Sequence, residues 1–161
     1  MSLWAYAYGM GPQMTRKVTR GFIPARLTAL RIKRNLKVAD LARLARAGTS
    51  TVYAWELGRR SPQVDVLARV MKVLDAPISA VVVVERRKRF PGDWRVLAGL
   101  TQPGLAAKAG ITTSNLKLIE RAESELTDKN AEALGRALGI TGEVYRAAHA
   151  RARRREPGTP A

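Results

Sequence analysis

The chain has 161 residues, with 29 Lys and Arg against 13 Asp and Glu, a formal charge of +16, one His and no Cys. A balance that basic favours a polyanionic partner, nucleic acid ahead of a membrane, since no apolar run approaches the roughly 18 residues that span a bilayer. The lack of Cys excludes a disulfide framework and a thiolate metal site.

Met1 to Met14 has neither a basic n-region nor a continuous apolar core, so it makes a poor signal peptide and a cytoplasmic location is expected. Residues 1–20 end in a basic arm carrying Arg16, Lys17 and Arg20. Such an arm can follow a minor groove or simply be a solvated tail.

Residues 21–80 form the first predicted domain, with eleven basic residues against Asp40, Glu56, Asp65 and Asp75. Ala25 to Arg34 and Val38 to Arg46 read as amphipathic helices, the second with Val38, Leu41, Ala42 and Ala45 at i, i+3, i+4, i+7. Gly48 interrupts, Thr49 and Ser50 offer capping chemistry, and the stripe Val52, Trp55 runs on until Gly58 stops it. Val64 to Leu74 is a further helix, broken by Asp75-Ala76-Pro77 ahead of a short one from Ile78.

Residues 81–92 form a basic linker, an apolar run Val81 to Val84 followed by Glu85, Arg86, Arg87, Lys88 and Arg89, with Pro91-Gly92 closing it. Fully extended, the ten residues Val81 to Phe90 reach roughly 33 Å, comparable to the about 34 Å between successive major-groove faces. The Val run can equally continue a helix, or pair as a strand with another subunit. Residues 93–148 form the second domain, its seven basic and seven acidic residues in balance. Residues 149–161 are a basic tail in which Arg151 to Arg155 can extend the last helix and Glu156 to Ala161 is expected to be disordered.

Sliding the sequence against itself shows that the two halves are copies, in one ungapped register at an offset of 64. Leu36, Leu41, Ala42, Ala45, Ser50, Glu56 and Leu74 fall on Leu100, Leu105, Ala106, Ala109, Ser114, Glu120 and Leu138, and Arg31 on Arg95. Chance likeness of two Ala- and Leu-rich segments explains composition, but not a single register that also carries both Arg/Glu pairs. The fold class expected is therefore all-α, with two tandem five-helix domains.

The string from Leu36 through Leu41-Ala42, Gly48-Thr49-Ser50 and Trp55-Glu56 to Pro62 resembles the DNA-binding domain of lambda-repressor-like regulators, the Xre family. The second copy is closer to it, with Thr101-Gln102 opening a helix, Gly110 at the turn and Ile119-Glu120-Arg121 at the end. The resemblance covers residues about 24 to 147 and implies two helix-turn-helix modules. In such a module the second helix enters the major groove and the first crosses the backbone.

The resemblance nominates Thr49, Ser50, Thr51, Tyr53 and Ala54 as base readers in the first copy, and Thr113, Ser114, Asn115, Lys117 and Leu118 in the second. The chemistry suits base edges: Asn can pair bidentately with adenine, Lys reaches guanine, and a Thr methyl or Ala meets the thymine methyl. The bland reading is that Thr49, Ser50, Thr113 and Ser114 only cap their helices and that Tyr53 packs on the neighbouring module. Trp55, Val52, Ile119 and Leu116 belong to the core. Contacts to the DNA backbone are assigned to Arg16, Lys17, Arg20, Arg59, Arg60, Gln102, Arg86, Arg87, Lys88 and Arg89. The family likeness also makes Arg31 with Glu56, and Arg95 with Glu120, ion pairs that orient the recognition helices.

The leading functional reading is a sequence-specific regulator of double-stranded DNA, a repressor of phage or plasmid type, whose unlike helices read an asymmetric site. It would act as a monomer with two reading heads or as a homodimer, with no cofactor, metal or membrane. The alternatives are an architectural or plasmid-maintenance DNA binder, and a chain with one module for DNA and one for protein. Catalysis is the least supported class, because the sole His149 has no paired carboxylates or Gly-rich phosphate loop around it.

Overall fold

The computed structural model describes residues 19–161, so Arg16 and Lys17 of the basic arm lie outside the described residues. Among these there are nine α-helices. The first module holds α1 Pro24–Lys33, α2 Val38–Leu44, α3 Thr49–Glu56 and α4 Val64–Val73, followed by a 3-10 turn at Ile78–Ala80. The second holds α5 Pro91–Leu97, α6 Gln102–Ala109, α7 Thr113–Glu120, α8 Asp128–Leu138 and α9 Gly142–Arg153. The fold is all-α, and the described residues carry one isolated antiparallel bridge, Phe22 with Val82.

The backbone repeats even where the residue type does not. A left-handed residue follows each helix or its final turn at four matched positions: Asn35 and Gly99, Arg46 and Gly110, Gly58 and Ala122, Asp75 and Gly139. A left-handed residue there lets the chain turn away while its N–H groups satisfy the last carbonyls of the helix. In the first copy the break after α2 thus falls on Arg46 at φ 53°. It does not fall on Gly48, which has φ −72° and is the residue that starts α3.

The helix starts differ between copies. In the second, Thr101, Thr112, Thr127 and Thr141 each accept a bond from a backbone N–H in the first turn. In the first, the matched residues Lys37, Gly48 and Gln63 make no side-chain cap, nor does Ile23 before α1. Thr49, Ser50, Thr113 and Ser114 lie inside their helices rather than at the cap, so capping is not their role.

Each module buries its own apolar stripe. Leu27, Leu41, Val52, Leu67 and Leu74 are fully buried in the first, with Trp55 2% exposed. Leu105, Leu116, Ile119, Leu134 and Tyr145 are fully buried in the second. Ala42 and Ala106, also buried, keep α2 close to α3 and α6 close to α7.

The connection is not the extended spacer that its length allows. Val81 and Val82 are buried in the first core, with Ile23 N donating to Val81 O at 2.8 Å and Val83 N to Gly21 O at 2.9 Å. Leaving an apolar Val run in water is unfavourable and burying it is favourable, so it folds back and pairs within its own chain.

Pro91-Gly92 does not close the linker but opens α5, where the missing N–H of Pro91 costs no helical bond. From α5, Val96 and Leu97 pack against the first module's core. A Cβ added to Gly99 would sit 3.4 Å from both Ala68 and Ile78. The two modules therefore share a packed surface. At the other end α9 runs past position 149 to Arg153, so the first part of the Arg151 to Arg155 stretch does extend the last helix, with Ala148 and Ala152 fully buried and His149 nearly so. That last turn is held by its apolar face.

Candidate nucleic-acid interface

Two arginine–glutamate pairs join the first helix of each module to its third. Arg31 Nε lies 2.6 Å from Glu56 Oε1, and Arg95 Nε lies 2.6 Å from Glu120 Oε1. Each arginine also donates to a loop carbonyl five residues on, Leu36 O at 2.9 Å and Leu100 O at 3.0 Å. The second pair is the more deeply buried, with Glu120 fully enclosed and Arg95 8% exposed, against 8% and 15% for Glu56 and Arg31. Glu120 also accepts from Gln102 Nε2 at 2.8 Å. The amide of Gln102 is thus engaged inside its own module, where it ties the start of α6 to the end of α7.

The same helices that bury Val52, Trp55, Leu116 and Ile119 inward show the nominated readers outward. On α3, Thr49, Ser50 and Tyr53 are exposed while Thr51 and Ala54 are half-buried. On α7, Ser114, Lys117 and Leu118 are exposed while Thr113 and Asn115 are half-buried. Tyr53 and Leu118 are large apolar side chains with 52% and 43% of their surface open to solvent. Just past α3, Arg59 and Arg60 are exposed, and their backbone N–H groups close the helix on Ala54 O at 2.9 and 3.3 Å.

The linker arginines and Arg20 behave differently from a solvated basic run. Arg20 pairs with Asp93 at 2.7 Å and stacks 4.2 Å above the Phe90 ring. Thr19 beside it is buried and donates to Pro62 O, so the arm is already fixed to both modules when it reaches Arg20. Arg86 and Arg89 lie over the Trp94 ring at 5.0 and 4.5 Å. Arg87 and Lys88 are exposed and share Glu85, whose carboxyl is held below its ordinary range by the hydrogen bond from Arg87 and by the charge of Lys88.

Sequence reasoning missed two structural groups. Arg69 donates to Ala45 O at 2.9 Å and so braces the turn between α2 and α3. Tyr145 is buried with its hydroxyl unpartnered, and burial, then the charge of Glu120, raises its pKa far above the ordinary value. The sole histidine is structural in its contacts, its Nε2 lying 3.1 Å from Ser124 O in a buried position. Among the described residues no group of His, Cys, Asp or Glu is arranged to hold a metal ion, and no helix is long and apolar enough to cross a membrane.

Two family models match this arrangement, both described as helix-turn-helix domains, one over residues 25–81 and the other over 93–144. The chain belongs to the Xre, lambda-repressor-like helix-turn-helix proteins and carries two such domains in tandem. The comparison with curated proteins found no match. Membership makes the protein a DNA-binding regulator and gives its helices their roles, α2–α3 and α6–α7 being the two helix-turn-helix pairs, with α3 and α7 as recognition helices.

Proposed function

We propose that this protein is a transcriptional repressor that binds one asymmetric double-stranded site as a single chain, in the cytoplasm, with α3 and α7 reading different sequences. One observation carries the reading. The recognition helices occupy matched positions and are anchored by the same arginine–glutamate geometry, yet present Thr49, Ser50, Thr51, Tyr53 and Ala54 in one case and Thr113, Ser114, Asn115, Lys117 and Leu118 in the other. Equivalent scaffolds with unlike side chains read unlike base edges.

The packing of α5 on the first module supports a monomer with two heads, because it holds their separation constant. Arg16, Lys17, Arg59, Arg60 and Gln102 would contact the backbone around these sites, Gln102 through whatever its bond to Glu120 leaves free. Repression is the mode of regulation that needs only occupancy of a promoter.

Selection from a random duplex pool, followed by affinity measurements on singly substituted duplexes, tests the reading. A long motif with two unlike halves is expected. Replacing Ser50 and Tyr53 should relax one half and replacing Asn115 and Lys117 the other, by about 1 to 3 kcal/mol per base contact. If Asn115 and Lys117 can be changed without altering any base preference, the second module is not a reading head. Blocked transcription from a promoter overlapping the selected site supports repression, and unchanged transcription at saturating protein refutes it.

A further inference from the structure

Around the junction of the two modules, arginines from three distant parts of the chain meet on a small platform. Trp94, on the first turn of α5, is 8% exposed, and two guanidinium groups, of Arg86 and Arg89, lie over its ring. Arg151, on α9, donates to Arg89 O. Arg20, ahead of α1, reaches Lys88 O at 3.4 Å as well as Asp93. Asp93 belongs to the same platform, since it also accepts from Phe90 N at 2.7 Å and starts the helix.

Two like-charged groups on one indole repel each other. Burial, and then the charge of Arg86, push the Arg89 guanidinium down from its ordinary value, with Asp93 acting the other way. Cation–π contact with Trp94 offsets part of that cost. The carboxylates close by already have cations of their own, Glu85 with Arg87 and Lys88, and Asp93 with Arg20. The contacts that hold Arg86, Arg89 and Arg151 are instead an indole face and backbone carbonyls, Arg89 donating to Val84 O at 3.1 Å. Those contacts hold the three groups in place, and Asp93, which is also paired with Arg20, balances part of the charge on Arg89. A guanidinium presents five donors in a planar fork, so fixed neighbouring forks are suited to a tetrahedral oxyanion.

We propose that Arg86, Arg89 and Arg151, mounted on Trp94, form a phosphate-binding site that takes the DNA backbone beside or between the stretches read by α3 and α7. The site is a third attachment point, built from the junction and belonging to neither helix-turn-helix. It rests on the tandem reading for its place on the duplex, but its chemistry is independent of which bases are read. It also gives a function to the end of α9, which neither module needs for reading bases.

The test replaces phosphates of the selected duplex one at a time by neutral methylphosphonates and measures affinity for the full-length protein and for Arg86→Gln/Arg151→Gln. Both substituted side chains leave Trp94 and the Arg89 bond to Val84 in place. The wild-type protein should lose affinity at one or two phosphates where the variant loses nothing further. Loss of a phosphate contact lowers the salt slope by about 0.9, so between 50 and 200 mM salt the advantage of wild type over variant should shrink about 3.5-fold per lost contact.

Inorganic pyrophosphate, titrated without DNA while the Trp94 indole N–H is followed by NMR, separates the sources of phosphate. A saturable shift in wild type but not in the variant, with no phosphate of the duplex affected, would mean a free phosphate compound is the ligand and would overturn the DNA assignment. If neither experiment separates variant from wild type, the arginines only clamp the linker and the site does not exist. Failure of the tandem reading shows up in base substitutions, whereas failure of this site shows up in methylphosphonates.

Discussion

The two arginine–glutamate pairs differ in burial within one protein, which makes them a controlled comparison. In Glu120→Gln the shape of the side chain is kept and its charge is lost. The Arg95 guanidinium, 8% exposed, is then left without its counter-charge, and Gln102 loses a charged acceptor. Breaking a buried pair by removing one partner costs about 3 to 5 kcal/mol, and the complete enclosure of Glu120 puts this variant in that range.

Glu56→Gln removes the matching charge from a pair in which Arg31 is 15% exposed. Water reaches the remaining guanidinium there, and the expected cost is about 1 to 3 kcal/mol. Urea denaturation gives the totals, provided the slope m is unchanged. Because the modules share a packed surface, amide hydrogen exchange should be used to locate each loss, in α5 to α7 for one variant and in α1 to α3 for the other. If Glu56→Gln loses as much stability as Glu120→Gln, burial does not set the cost and the reasoning fails.

Three further outcomes are expected. Lys37→Thr and Gln63→Thr copy the caps Thr101 and Thr127 onto matched positions with the same extended backbone, and each should stabilise the first module by about 1 kcal/mol in thermal or urea unfolding; no gain from either would show that their backbone N–H groups are already satisfied. Truncating Trp55, 2% exposed, or the fully buried Ile119 to Ala should cost about 3 to 5 and 2 to 5 kcal/mol respectively, and a fully stable Trp55→Ala protein that had only lost DNA affinity would move this residue from the core to the interface. Gly135→Ala places a Cβ 2.9 Å from backbone atoms of Ile140 and Thr141, whereas the atoms nearest a Cβ on Gly142 belong to the exposed, flexible side chain of Glu132; the first should cost about 1 to 3 kcal/mol and the second within about 0.5 kcal/mol, and equal melting temperatures would contradict the rigidity of the α8–α9 turn.

The sequence by itself determined the two-module plan, because the information is local and stated twice. Helical periodicity needs only a few turns of chain to declare itself, and the offset of 64 aligns α3 with α7 residue for residue. The inward positions of Val52, Trp55, Leu116 and Ile119 follow from that same periodicity. The roles of Arg31, Glu56, Arg95 and Glu120 came from family likeness, since nothing in a pattern of charges says which two will meet across 25 residues.

Tertiary structure alone decided where the chain reverses and what the junction is. Arg46 rather than Gly48 takes the left-handed turn, because the end of α2 sets the position and the residue type only modulates its cost. Thr112 rather than Thr113 caps α7 for the same reason. The linker reads as a spacer in one dimension, and it becomes part of the first core only because Val81 and Val82 find an apolar surface to cover. Arg20 and Arg151 lie 68 and 62 residues from the carbonyls they hold. No local rule connects segments so far apart; their meeting is a consequence of how two folded modules pack.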